Sequence, residues 1–234
     1  MSTEFLSDYE QFERSWKIRS ELEVDFSLKY STNIFSLKNK DLLNCTEEYD
    51  VAVIVIDKVV YNIYEDYLQH YFSFHKVEVK ILSIDSGEEE KDWNSVDKIL
   101  SFFEEIKLLR KQPVIAIGGG VLLDIVGFAC SIYRRGVPYI KLPTTLLAIV
   151  DASVGSKVGV NHFTRRNRIG SYYPPIISLI DKNFISTENR RNIINGLGEI
   201  FKLAVIKSEP LFNLLETNYK LLLDEKFRHG AVPV

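Results

Sequence analysis

The stretch VIAIGGGVLLDIVGFACSIYRRG, from Val114 to Gly136, decides the fold. Its first apolar run is too short for a helix and reads as a strand; Gly118, Gly119 and Gly120 end it, and a helix follows to about Tyr133. The spacing is GGG-x-x-x-D, not the G-x-G-x-x-G of an ordinary dinucleotide fingerprint. Bare backbone at the carboxyl end of a parallel strand lets a phosphate approach closely, and the next helix begins with free N–H groups pointing at it. Asp124, one turn into that helix, is placed to accept a hydrogen bond from a sugar or substrate hydroxyl. The same residues also suit a tight strand-to-helix turn with a solvated aspartate, and the glycines alone do not choose between the two.

The pattern on either side supplies the rest of a sheet. VAVIVID from Val51, VEVKILSI from Val77 and PYIKL from Pro138 are further short apolar runs. Between them, YNIYEDYLQHYFSF and WNSVDKILSFFEEIKLLRK have helical spacing, the second with Val96, Ile99, Leu100, Phe103, Ile106 and Leu109 on one stripe. This alternation predicts an α/β fold, a doubly wound, Rossmann-like parallel sheet. Ahead of it, KIRSELEVDFSLKYSTNIF alternates, with Ile18, Leu22, Val24, Phe26, Leu28 and Tyr30 on one parity. That predicts a half-buried, antiparallel edge strand. Residues 1–15 read as a polar lead-in, residues 16–186 as the α/β domain, and residues 187–234 as the start of a helical domain. Within the α/β domain, PTTLLAIVDASVGSKVGVNHFTRRNRIGSYYPP reads as functional loop plus short helix, and IISLID as one more strand.

Composition narrows the classes. The chain has 234 residues, 46% hydrophobic and 26% charged, which is the balance of a soluble globular protein. A net charge of -3 argues against a general nucleic-acid binder. Cys45 and Cys130 form neither a C-x-x-C zinc pattern nor a disulfide framework, so a reducing cytoplasm is the expected setting. The N-terminus carries acids early and does not read as a signal peptide, and no apolar run reaches the roughly 18 residues of a membrane span.

Three segments carry candidate chemistry. Thr144 and Thr145 follow the PYIKL strand and so lie at the ligand edge; Asp151 and Lys157 frame a Ser/Gly loop. A lysine among small residues suits a phosphate or carboxylate as a point charge, although a single lysine is more often an exposed surface group. Arg134, Arg135, Arg165, Arg166, Arg168 and Asn167 place positive and polar groups in flanking loops of an otherwise acidic chain, which favours a phosphorylated small molecule. In NGLGEIFKLA, Glu199 and Lys202 share a helix face in a segment apolar nearly all round, so the pair is expected to be embedded and ion-paired, ligand-bound or metal-bound. His70 and His75 read as structural or solvated, His162 as a weak substrate candidate, and His229 as no ligand.

GGGVLLDIVGFA, YRRG, PTTLLAIVDASVGSK, RRNRIGSYYPP and GEIFK, in that order, resemble the sugar phosphate cyclases, the family of 3-dehydroquinate synthase. The details resemble the branch acting on sedoheptulose 7-phosphate, the 2-epi-5-epi-valiolone synthases, with SKVGVN similar to the desmethyl-4-deoxygadusol synthases. The resemblance implies a homodimer with tightly bound NAD and a divalent metal, zinc or cobalt. It implies a phosphorylated seven-carbon sugar substrate and a sequence of transient oxidation, phosphate elimination, re-reduction and intramolecular aldol closure. On it, Glu199 matches the metal carboxylate and Lys202 its active-site partner; Asp124 and Lys157 match catalytic positions near substrate and nicotinamide. Asn167 matches a substrate contact, and Arg135 a phosphate-binding arginine reaching the neighbouring subunit. Gly118, Gly119, Thr144, Thr145, Asp151, Arg166 and Thr187 match the NAD surround, with Asp57 on the adenine ribose and Glu88 and Lys91 on the adenosine side. Asn192 departs from the family, which often has an acid there. The family's metal-binding histidines lie in a helical region beyond residue 234, so a truncated chain with weakened metal affinity is expected. Activity as a demethyl-4-deoxygadusol or 3-dehydroquinate synthase, and an inactive NAD-binding paralogue, are the alternatives. A metal-dependent polyol dehydrogenase, which shares GGG-x-x-x-D, is disfavoured by Lys157 and the Glu199/Lys202 pair.

Overall fold

The computed structural model describes residues 6–12, 15–21 and 24–227. Ten strands are described: β1 (Leu6–Phe12), β2 (Ser15–Glu21), β3 (Ser27–Tyr30), β4 (Val51–Asp57), β5 (Glu78–Ile84), β6 (Val114–Gly118), β7 (Tyr139–Pro143), β8 (Lys157–His162), β9 (Arg165–Tyr172) and β10 (Ile177–Ile180). The helices are α1 (Asp41–Asn44), α2 (Lys58–Phe74), α3 (Trp93–Glu105), α4 (Gly120–Ile132), α5 (Arg190–Lys207) and α6 (Glu209–Asp224). Six strands form one parallel sheet in the order β3-β10-β7-β6-β4-β5. The chain winds outward from β4 to β5, then crosses back to β6, β7 and β10, so the sheet reverses direction between β4 and β6. The doubly wound expectation is met.

Both faces of this sheet are covered, which explains its unbroken apolar runs. Along β4, Val53 and Val55 face α3 and α4, where Val96, Ile99, Phe103, Leu123 and Val126 bury. Ile54 and Ile56 face α2, packing with Leu68, Tyr71 and Phe72. Asp57 ends β4 and caps α2 by accepting the Val60 N–H at 3.0 Å; Asp92 caps α3 the same way on Ser95. The α3 stripe stops at Glu105, so Leu109 is exposed and Leu108 takes the buried place.

Three expectations are corrected. The alternating N-terminal segment is not one half-buried antiparallel edge strand. Part of it, β2, pairs with β1 in a separate antiparallel hairpin, and β3 is the sheet edge but runs parallel to β10. Both β2 and β3 are exposed along their lengths, because no element among the described residues covers either face; Leu22 lies outside the described residues. The segment read as a polar lead-in contains β1. The loop after Thr145 holds a π-helical turn, Ala148–Ala152, and then the β8–β9 hairpin, whose strands approach closely at Gly159 and Gly170.

Helices α5 and α6 pack on each other and on the sheet edge through Leu146, Ile185, Ile193, Ile200, Ala204, Leu215 and Leu222. The approach is closest at Gly196, where a Cβ would lie 2.6 Å from Leu146 Cγ and 2.8 Å from the Leu147 nitrogen. Gly198, two residues on, has nothing within 4 Å of that position. Gly196→Ala is therefore expected to lower stability by about 1–3 kcal/mol through overpacking. Gly198→Ala should raise it by up to about 1 kcal/mol through helix propensity. Urea denaturation of the two variants separates them, and equal effects would contradict this packing.

Candidate active site

The sheet reversal leaves a crevice between the carboxyl ends of β4 and β6, where ligands of such sheets bind. A cleft of about 530 Å³ occupies it, lined by Asp57, Ser86, Gly87, Gly119, Thr144, Thr145, Thr187 and Glu188 among others. Gly119 caps α4 without a side-chain partner, so the first N–H groups of the helix face this space. The three glycines have different jobs. A Cβ on Gly118 would meet Leu122 Cδ2 at 2.6 Å and Asp57 Cβ at 3.3 Å, so the protein's own packing requires that glycine. A Cβ on Gly119 or Gly120 would meet neighbours no closer than 3.5 Å and 3.7 Å, so packing requires neither to be glycine, and Gly119 is bare toward the cleft.

The cleft's charge is unusual for a phosphate site. Asp57, Asp85, Glu90 and Glu188 line it, and no lysine or arginine does. An anionic ligand would therefore be held by helix N–H groups, while carboxylates and hydroxyls would meet neutral hydroxyl or amide donors. Two buried polar atoms in the wall have no partner: Thr144 Oγ1 and Glu188 Oε1. The second Glu188 oxygen accepts from the Leu146 N–H at 2.9 Å, and burial pushes its carboxyl above the usual range. Open glycines at a helix start and orphaned polar atoms fit a dinucleotide. Asp57 is also bonded by the Ser86 hydroxyl, and Thr187 Oγ1 lies 3.1 Å from the Tyr64 hydroxyl.

Beside the cleft is a buried charge cluster. Lys91, 5% exposed, donates to Asp124 at 2.6 Å and to Asn167 Oδ1 at 2.7 Å. Desolvation raises the Asp124 carboxyl above its ordinary value, against the lowering effect of Lys91. Asn167 adopts a left-handed φ of 52° and its N–H donates to Asn161 Oδ1 at 2.9 Å. Asn161 in turn donates to Glu88 Oε1 at 2.9 Å, and its own N–H bonds the Lys91 carbonyl. Glu88 also pairs with Arg166 at 3.4 Å, on the surface. Glu88 and Lys91, expected together on a cofactor's adenosine side, are thus separated: Lys91 turns inward to Asp124 because burial demands a carboxylate partner.

The remaining residues fall into two groups. Asp151 and Lys157 are exposed at the ends of the turn that precedes β8, and the Asp151 charge acts on Asp124, Lys141 and Lys202. Glu199 and Lys202 form an ion pair on α5, with Glu199 half-buried and Lys202 exposed. They are not embedded: Phe201, Leu203, Val205 and Ile206 beside them are exposed, because α5 buries only one face. No group of three potential metal ligands occurs among the described residues, so Glu199 has no partner ligands there and the described residues do not make a metal site. Arg135 is not brought to the cleft. It follows α4 at the end opposite Gly120, about 20 Å away by helix rise, in a left-handed run of Arg134, Arg135 and Gly136. His70 and His162 are exposed, and His229 lies outside the described residues.

Sequence reasoning missed Lys141, Asn161 and Glu188. Lys141 had a visible signal, a lysine inside the apolar run PYIKL. Asn161 and Glu188 had none, since each matters only through a contact with a segment distant in sequence.

An open parallel sheet with a cleft at its reversal and a glycine turn opening a helix defines a Rossmann-like α/β domain. The model of the 3-dehydroquinate synthase N-terminal region matches residues 81–195. The chain is 36% identical over 218 residues to a 2-epi-5-epi-valiolone synthase of an Actinoplanes species, covering 92% of this chain and 55% of that protein. It is 33% identical to a demethyl-4-deoxygadusol synthase of Trichormus variabilis, covering 94% and 53%. The solved structure of 2-epi-5-epi-valiolone synthase from Streptomyces hygroscopicus subsp. jinggangensis, with NAD+ and Zn2+ bound, superposes with a TM-score of 0.87 at 37% identity, covering 92% of this chain and 59% of that one. The chain belongs to the 3-dehydroquinate synthase-like family. It spans about half the length of the curated relatives it matches.

Asp124→Ala strands the Lys91 ammonium in a buried site with only the Asn167 oxygen, and is expected to cost about 3 kcal/mol. Lys91→Met leaves a carboxyl that reaches solvent and should cost less, about 1 kcal/mol. The double variant should be more stable than Asp124→Ala alone. Denaturant titration of the cycle checks this, and additive losses would mean that the two groups are uncoupled.

Proposed function

We propose that this chain binds NAD in the cleft between β4 and β6 and belongs to a sugar phosphate cyclase that converts sedoheptulose 7-phosphate to 2-epi-5-epi-valiolone. The observation that carries the first half is the uncovered backbone of Gly119 at the start of α4, facing a cleft in which Thr144 Oγ1 and Glu188 Oε1 have no partner among the described residues. The second half is supported by identity to valiolone synthases and by the neighbouring structure that holds NAD+ and Zn2+.

Bound NAD supplies a reversible hydride acceptor, so the reaction is redox-neutral overall. The chain's own residues do the placing. The N–H groups at the start of α4, beside Gly119, would hold the pyrophosphate, and Asp57 and Thr187 would take ribose hydroxyls. Lys91 Nζ donates to Asp124 Oδ2 at 2.6 Å, a donor and acceptor poised next to Asn167 for a sugar hydroxyl. Lys157, at the mouth of the turn, attracts the substrate phosphate, and Arg135 offers the same charge to a partner subunit. Among the described residues Glu199, ion-paired with Lys202, is the carboxylate that would serve as one ligand of the metal, and no step is routed through it. For a homodimer, the β1–β2 hairpin, which among the described residues pairs only within itself and exposes Trp16 and Ile18, offers a face to a second copy. A cytoplasmic setting is supported by the free thiols of Cys45 and Cys130. No helix among the described residues is long and apolar enough to cross a membrane.

A second reading, NAD binding without turnover, is favoured by the absence of a three-ligand metal cluster among the described residues. Calorimetric titration of NAD into the chain tests the common part. Gly119→Ala should keep the wild-type melting temperature, since its Cβ meets nothing closer than 3.5 Å, yet weaken NAD binding about tenfold or more by filling the cradle. A wild-type chain that does not bind NAD would sink the proposal. Phosphate release from sedoheptulose 7-phosphate with NAD and zinc present, followed by product analysis, separates the catalytic reading from the silent one. It also separates valiolone from a gadusol precursor.

A further inference from the structure

Lys141 sits in the middle of β7 and is 1% exposed, surrounded by the sheet. Its neighbours Ile140 and Leu142 pack on the α2 side, so its side chain leaves by the opposite face. There Nζ donates to the Ala152 carbonyl at 2.6 Å and the Gly155 carbonyl at 2.7 Å. Ser178, directly opposite Lys141 on β10, donates its hydroxyl to the Ser153 carbonyl at 2.7 Å. Two side chains from adjacent parallel strands therefore grip three carbonyls of one turn from beneath. That turn is the end of the π-helix Ala148–Ala152, where unsatisfied carbonyls gather negative partial charge. It carries Asp151 at its start and Lys157 just beyond its end.

An apolar side chain would fill this position at lower electrostatic cost, since no carboxylate lies within ion-pair distance of Lys141 among the described residues. The charged groups that face it are Asp124 on α4 and Asp151 on the turn, with Lys91 bound to Asp124; the Tyr139 ring of its own strand lies 5.9 Å away. We propose that Lys141 is a positioning residue, its Nζ hydrogen bonds tying the Asp151–Lys157 turn to the sheet and so holding Asp151 near Asp124. The proposal concerns the order of the turn and stands whether or not the cleft holds NAD.

Burial pulls the Lys141 amine down from 10.5 to about 8. Opening the turn admits water and returns it toward 10.5, so closing the turn expels a proton. Closure is then independent of pH below about 8 and strengthens as pH rises from about 8 toward 10.5. The amides of Ser153, Val154 and Gly155, bonded to the Ala148 and Asp151 carbonyls, report closure by hydrogen exchange normalised to intrinsic rates. In the wild-type chain their protection should be flat up to about pH 8 and rise above it, approaching tenfold per pH unit. Lys141→Met should lose about tenfold protection in these amides at neutral pH and show no rise, with β6 and α4 unchanged. Ser178→Ala should lose only about threefold and keep the rise. Unchanged turn protection in Lys141→Met, or an equal loss in β6 and α4, overturns the proposal. If Lys141→Met does not fold, the wild-type profile and Ser178→Ala decide. A rise retained in both supports Lys141, and a flat wild-type profile overturns it.

Discussion

The site depends on one steric constraint, the contact of Leu122 and Asp57 over Gly118. The sheet reverses between β4 and β6, and at that point two carboxyl ends must lie side by side with a helix starting from one of them. Any side chain at Gly118 would push Leu122, the first buried residue of α4, away from the strand. It would also push Asp57, which caps α2. Because that contact is tight, the helix begins at once and its free N–H groups open into the crevice. Gly119 and Gly120 are then spared any packing duty and remain available to a ligand.

Around this steric frame the chain spends stability on buried charge. Lys91 and Lys141 are both almost fully buried. Each is desolvated, which costs several kcal/mol unless polar partners compensate. They are compensated differently. Lys91 meets a carboxylate and an amide oxygen, and ties the segment before α3 to α4 and the β8–β9 hairpin. Lys141 meets only backbone carbonyls, which holds a turn but leaves the amine depressed to about 8. A sequence selected for stability alone would put apolar residues at both positions, so their presence marks the edge of the sheet as a place where geometry matters more than stability. Helices α5 and α6 stand apart from this scheme: their outward faces expose Phe201, Val205 and Ile206, and the Glu199–Lys202 pair is close to solvent.

The sequence by itself determined the sheet. Runs such as VAVIV and PVIAI are apolar because both faces are covered, and their alternation with 3.6-period segments calls for a parallel sheet flanked by helices. It also determined which residues lie at the ligand edge, since every strand of such a sheet presents its carboxyl end to the same side: Asp57, Gly119, Thr144 and Thr145 meet in one cleft. It misplaced what hydrophobic pattern does not encode. The alternating N-terminal segment looked half-buried because alternation reports amphipathicity, not what covers it. Only the tertiary structure decided partnerships between segments far apart in the chain: Lys91 with Asp124 and Asn167, Lys141 with the Ala152 and Gly155 carbonyls, Glu188 with Leu146. The reason is physical. Periodicity states which side of an element faces inward, whereas a buried charge takes whatever partner the packing of distant elements brings within about 3 Å.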